Sequence, residues 1–131
     1  MKVARIARAL MQIQDAYMDR HPHHIPLLFM MDVIHGYRTI FPAPIAQGAS
    51  FDPEMSKRAA SVAAREASAA GIHVVFSTMV ALLPAPRWGR VLESPGALTY
   101  TKSRFAAAQI HHLSAHDMHA DGTICAPIKP C

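Results

Sequence analysis

"IPLLFMMDVIHGYRTIFPAP", residues Ile25–Pro44, decides how the rest of the chain is read. The stretch from Ile25 to Ile34 is almost wholly apolar, and it ends in a polar cluster of Asp32, His35, Tyr37 and Arg38. A continuous apolar run followed by turn formers, here Gly36, Pro42 and Pro44, predicts a strand buried on both faces, as in a parallel sheet. Polar groups at the carboxyl end of such a strand fall where parallel α/β folds build their sites.

On the amino-terminal side, Val3 to about Arg20 places Ile6, Leu10, Ile13 and Tyr17 on one helical stripe. On the carboxyl-terminal side a second helix is predicted from Asp52. Asp52-Pro53-Glu54 offers an N-cap, a proline at the first helical position and an acid in the first turn. "MSKRAASVAAREASAA" is rich in good helix formers, and Gly71 sits where a left-handed C-terminal cap belongs. "IHVVFSTMV" follows as a second strand, then a loop with Pro84, Pro86, Trp88 and Gly89. A third helix runs from about Thr99 to Leu113, and "GTICAPIK" reads as a third strand.

The order α-β-α-β-α-β demands parallel strands joined by right-handed crossovers. Three such strands cannot close into a barrel, and both outer ones would be bare edges. Residues 1–131 therefore read as a single incomplete α/β domain, a slice of something larger.

Composition fits a packed domain rather than a disordered segment: 51% of the 131 residues are hydrophobic and 17% charged. The net charge of +4 could suit an anionic partner, yet the thirteen Lys and Arg are scattered, which argues against nucleic-acid binding. No uninterrupted apolar stretch follows Lys2, Arg5 and Arg8, so no signal peptide is expected, and no segment approaches a membrane span of about 20 apolar residues. As it stands the chain reads as cytoplasmic. Cys125 and Cys131 could pair or remain free thiols.

Asp32 at the end of the first strand, Arg87, Trp88 and Arg90 after the second, and Lys129 at the end of the third converge on one rim. They could form a binding site. Alternatively Asp32 and an arginine could make a buried ion pair that braces the loops.

These segments, "IPLLFMMDVIHGYRTIFPAPIAQGASFDPE", "AAREASAAGIH", "PRWGR" and "ADGTICAPIK", resemble the N-terminal barrel domain of glycoside hydrolase family 3, of the bacterial β-glucosidase type. The resemblance covers Ile25 to Lys129. It implies a (β/α)8 barrel of which the chain holds roughly strands two to four, and hydrolysis of O-glycosyl bonds in β-glucosides with retention. It also implies that Asp32, Arg90 and Lys129 hold sugar hydroxyls, Asp32 accepting hydrogen bonds and the two cations donating them. Trp88 and Tyr37 would pack the loops, and His35 would brace its own loop through a hydrogen bond. Family members are often periplasmic or secreted. The implied partner is a β-glucoside or short β-glucan, with no cofactor.

The sequence departs from the family pattern. Ala81, Pro84 and Ala85 stand where the family carries two acids and an arginine, "GALT" replaces "GEDP" at Gly96–Thr99, and Pro130 replaces a histidine. The family's nucleophile and acid/base would come from regions beyond Cys131. Of the nine acidic residues only Asp32 and Glu93 fall near the rim, and Glu93 is expected to be a loop ion-pair partner. The retaining mechanism needs two carboxyl groups about 5 Å apart. No catalytic residue is therefore assigned, and the chain alone is expected to be inactive. A complementing barrel fragment or an edge-to-edge homo-oligomer would cover its strand edges.

Two other chemistries have weaker support. His111, His112, His116, His119, Cys125 and Cys131 crowd the carboxyl-terminal segment, but neither CxxC nor HExxH is present, and no metal is assigned. No G-x-S-x-G context surrounds Ser50, Ser77 or Cys125. The competing function is a catalytically inactive module derived from the same family that binds a sugar or another protein.

Overall fold

A computed structural model describes residues 2–81, 83, 85–114, 122 and 124–129. Its elements, in chain order, are α1 (Lys2–Arg20), β1 (Met30–Met31), α2 (Pro44–Ala49), α3 (Pro53–Ala69), β2 (Val74–Val75), β3 (Thr78–Met79), a 3-10 turn at Val91–Glu93, α4 (Thr99–Leu113) and β4 (Ile128–Lys129).

The strands are parallel. Met30 and Met31 of β1 pair with Val74 and Val75 of β2, while Thr78 and Met79 of β3 pair with Ile128 and Lys129 of β4. Val74 also bridges to Cys125. The run "IHVVFSTMV" thus forms one central strand in two pieces, with β1 on one side and the β4 segment on the other. This is the α/β arrangement expected of a partial barrel.

The local chemistry of α3 is as its sequence dictates. Asp52 Oδ1 accepts the Glu54 backbone N–H at 3.0 Å, and Pro53 opens the helix where no amide hydrogen is needed. At the far end Gly71 N–H donates to Ser68 O at 2.9 Å and Ile72 N–H to Ala67 O at 3.1 Å. This Schellman closure requires the left-handed φ of +87° at Gly71, which glycine adopts without a side-chain clash. The buried stripe of α3 (Ser56, Ala59, Ala60, Ala63, Ala64 and Ala67) is made of small side chains, so α4 approaches closely and inserts Phe105 and Leu113. Val33, Ile72, Val75, Ile124 and Ala126 complete the core from the strand layer.

Three expectations are corrected. β1 is not buried on both faces: Leu28 is 63%, Met30 51% and Met31 43% exposed. It has a neighbouring strand on one side only, because three strands do not close. Along α1 the residues that face the molecule are Val3, Ala7, Leu10, Gln14 and Met18, one position off the expected stripe, so Ile6, Ile13 and Tyr17 are largely exposed. The proline-rich segment after Phe41 holds a short helix, α2, started by Pro44 at its first turn. There Gly48 lies so close to the carbonyl of Pro95 that any side chain would collide with it.

Among the described residues no helix is long and apolar enough to cross a membrane.

Candidate functional site

The segment after β1 is held as a tight loop. Gly36 takes φ +121°, with the Thr39 carbonyl occupying the space a side chain would need. His35 bonds Phe41 twice across this turn. Its backbone carbonyl accepts from Phe41 N–H at 2.8 Å, and its ring Nδ1 lies 3.0 Å from Phe41 O. A carbonyl only accepts, so Nδ1 carries the proton and donates. His35 therefore braces the loop, as expected, and Tyr37 packs against the core. Trp88 is half-buried within the loop after β3.

A residue that pattern reading overlooked fixes the other side of the turn. Glu66 on α3 accepts the backbone N–H groups of Arg38 and Thr39, each at 2.8 Å, and the Thr39 hydroxyl at 2.6 Å. The Thr39 hydroxyl bond, helped by the backbone bonds and the Arg38 charge, lowers the Glu66 pKa against a smaller opposing effect of burial. In sequence Glu66 is one acid on a polar helix face. Nothing in its spacing points to residues 38 and 39.

The strand ends bring the charged residues together in two pairs. Lys129 Nζ lies 2.7 Å from Asp32 Oδ1. Arg90 donates to Glu93 through Nε at 2.9 Å and Nη2 at 2.5 Å, and its Nη2 also lies 3.7 Å from the Met79 sulfur. The alternative of a buried Asp32–arginine pair is not what forms. The partner of Asp32 is a lysine, and the Asp32 side chain is 60% exposed. The arginine is paired instead with a carboxylate three residues along its own 3-10 turn.

The two pairs share a field. The Arg90 hydrogen bonds lower the Glu93 pKa most, opposed by desolvation; the charges of Arg90 and Lys129 lower it further and that of Asp32 raises it. Asp32 and Glu93 line one surface cavity of about 310 Å³ together with Ile34, His35, Gly36, Ile40, Ala43, Pro44 and Leu92. Its polar end offers anionic acceptors already oriented by cations, and the neighbouring ammonium retains further N–H donors. Such a site can bind hydroxyl groups.

Of the histidines and cysteines in the carboxyl-terminal segment, only some fall among the described residues. His111 and His112 lie in the last turn of α4 and Cys125 is an exposed thiol; His116, His119 and Cys131 lie outside those residues, as do Pro84 and Pro130. No group of three or more His, Cys, Asp or Glu among the described residues could hold a metal ion.

With the rim geometry in view, comparison with known proteins is decisive. The family profile described as the glycosyl hydrolase family 3 N terminal domain matches residues 2–123. The chain belongs to glycosyl hydrolase family 3. Its family-3 relatives include a periplasmic beta-glucosidase of Salmonella typhimurium, 38% identical over 92 residues, which are 70% of this chain and 12% of the relative. A lysosomal beta glucosidase of Dictyostelium discoideum is 29% identical over 91% of the chain and 15% of its own length. Among solved structures, the beta-glucosidase from Listeria innocua in complex with glucose superposes with a TM-score of 0.89 at 41% identity, covering 94% of this chain and 18% of that one. The N-terminal domain of these neighbours is a TIM barrel, so the described elements form part of that barrel. The family-3 chain spans roughly a tenth to a seventh of the length of the curated relatives it matches.

Proposed function

We propose that this family-3 chain contributes part of the sugar-binding subsite of a β-glucosidase-type glycosidase that cleaves O-glycosyl bonds of β-glucosides. Asp32, Lys129 and Arg90 are the residues assigned to the sugar. The observation that carries the reading is the 2.7 Å Lys129–Asp32 pair beside a 310 Å³ cavity at the carboxyl ends of parallel strands. Asp32 uses one oxygen on Lys129 and keeps the other for a hydroxyl. Arg90 acts through Glu93, which lines the cavity, and holds it ionised as an acceptor. Both cavity carboxylates are engaged with cations, which suits hydroxyl binding, and the lowered pKa of Glu93 disfavours it as a proton donor. The nucleophile is assigned to a later barrel strand and the acid/base to a region farther on still, and residues 1–131 to a single incomplete barrel domain. A β-glucoside or short β-glucan is the proposed ligand, in keeping with the Listeria innocua neighbour, solved with glucose and with laminaribiose. The exposed edges of β1 and β4 suit a complementing barrel piece.

One observation favours the alternative of an inactive binding module. Ala81 stands where the resemblance expects an acid, and the buried Lys102 donates to the Ala81 backbone carbonyl instead. The test is titration of the chain with glucose, observed by NMR, alongside a chromogenic β-glucoside assay with and without the remaining segments of a family-3 relative, nucleophile and acid/base regions included. Binding lost in Asp32→Ala, with turnover only in the complemented protein, supports the glycosidase reading. Binding without turnover in either case supports the module, and no binding at all rejects the sugar site.

A further inference from the structure

A second cavity lies on the other side of the loop that carries Asp32, between the strand layer and the helices. It measures about 20 Å³ and is lined by Val33, His35, Gly36 and Ser77 from the strand layer, with Gln47, Ser56, Gln109 and small α3 side chains opposite. Two observations meet there. Ser77 is more than nine-tenths buried, and its Oγ has no hydrogen-bond partner among the described residues. The opposite wall carries a buried polar chain: Gln109 Nε2 donates to Ser56 Oγ at 2.8 Å, Ser56 Oγ donates to Gln47 Oε1 at 2.8 Å, and Gln47 Nε2 donates to Pro42 O at 2.7 Å.

We infer that this cavity is a binding site for one structural water molecule, which bridges Ser77 Oγ to the Gln47–Ser56–Gln109 chain. A water needs about 10–15 Å³ and two to four polar partners; the cavity of about 20 Å³ has the room, and its lining includes Ser77, Gln47, Ser56 and Gln109. By the inventory of donors and acceptors, each glutamine amide keeps a second N–H and Ser56 Oγ keeps a second lone pair after the bonds named above. A buried hydroxyl with no partner is left with the cost of its lost hydration, so hydration is the state that removes the penalty. The bridge ties the break between β2 and β3 to α2, α3 and α4. It thereby holds the inner side of the Asp32–Gly36 loop, whose outer side faces the sugar cavity.

The sign of one measurement separates the alternatives. If the water is bound, Ser77→Ala removes one of its anchors and lowers Tm by about 2–6 °C. If Ser77 Oγ is unpaired, the same substitution removes a buried unsatisfied group and raises Tm, which overturns the inference. The second test uses the unaltered chain, in a crystal structure at a resolution that shows ordered water. A single peak within hydrogen-bond distance of Ser77 Oγ and of Gln47, Ser56 or Gln109 is expected. No peak there, or a Ser77 hydroxyl turned onto a backbone carbonyl, overturns it.

Discussion

Lys129 Nζ meets Asp32 Oδ1 at 2.7 Å across 97 residues of sequence, and this single contact joins the ends of the two outer strands. As an exposed pair it contributes little to stability, about 0–1 kcal/mol. Under the proposed function, its place beside the cavity would make it a binding element instead. Asp32→Ala is therefore expected to leave Tm within a few degrees and to lower glucose affinity about ten- to hundredfold, the range for a lost hydrogen bond to a charged group. Isothermal titration and a thermal melt on the same sample check both parts. A large Tm loss with unchanged affinity would place Asp32 among the braces of the loop.

Glu66 predicts the opposite balance. It accepts two consecutive backbone N–H groups and a hydroxyl from the Arg38–Thr39 turn, much as an N-cap does. Glu66→Ala is expected to destabilise by about 1–2 kcal/mol, read by urea unfolding. Because its folded-state pKa is lowered from the ordinary 4.5, its stabilising effect is complete above that value and is lost as pH falls through the folded pKa. The acid limb of stability against pH should therefore flatten in Glu66→Gln, with the difference from wild type largest at neutral pH. Parallel curves would show that the carboxylate charge has no part in holding the turn.

How much of this was legible in the sequence differs by element. The ends of α3 were readable because capping is local chemistry: Asp52, Pro53 and Gly71 act on atoms within a few residues. The inward face of α1 is not legible in the sequence because Ile6 and Tyr17 fit a helical stripe equally well; a tertiary neighbour selects the Val3–Met18 stripe, as where Gly71 lies against Ala7 beside Leu10. α2 was hidden by its prolines, one of which starts it. At the rim, Asp32, Arg90 and Lys129 were all nameable, but their pairing was not. Arg90 prefers Glu93 for a reason of short-range geometry within a 3-10 turn, while Lys129 reaches Asp32 only because β4 and β1 flank the same central strand. Glu66 gave no signal, since long-range acceptance of backbone N–H groups leaves no spacing in sequence.

Glu93 provides a test of whether the two charge pairs act together. Glu93→Gln removes the anion that Arg90 grips while keeping shape and hydrogen-bonding capacity. The pair is half exposed, so stability should change by less than about 1 kcal/mol. Glucose affinity should fall, because Glu93 lines the cavity and orients Arg90. Its pKa is lowered chiefly by Arg90, so in wild type the pair persists below the ordinary value of 4.5 and breaks only as pH falls through the lower folded value. Binding measured against pH should therefore weaken on the acid side in wild type and be flatter in Glu93→Gln. The same acid limb in both proteins would assign the titration to another group.

Gly36 carries the last prediction. Its φ of +121° is strained for any residue with a side chain, and an added Cβ would collide with the Thr39 carbonyl and press on Phe41. Gly36→Ala must therefore shift the turn, and the shift acts on both His35–Phe41 bonds and on the Thr39 groups that Glu66 holds. A loss of about 2–4 kcal/mol is expected, more than the ordinary cost of alanine at a positive φ, because backbone is the colliding partner. Asp32 lies only four residues before Gly36, so glucose affinity should fall in parallel even where the variant remains folded. Denaturant unfolding and glucose titration on one preparation check this. A variant as stable as wild type would mean the loop relaxes freely, and that Glu66 and His35 do not fix the position of Asp32.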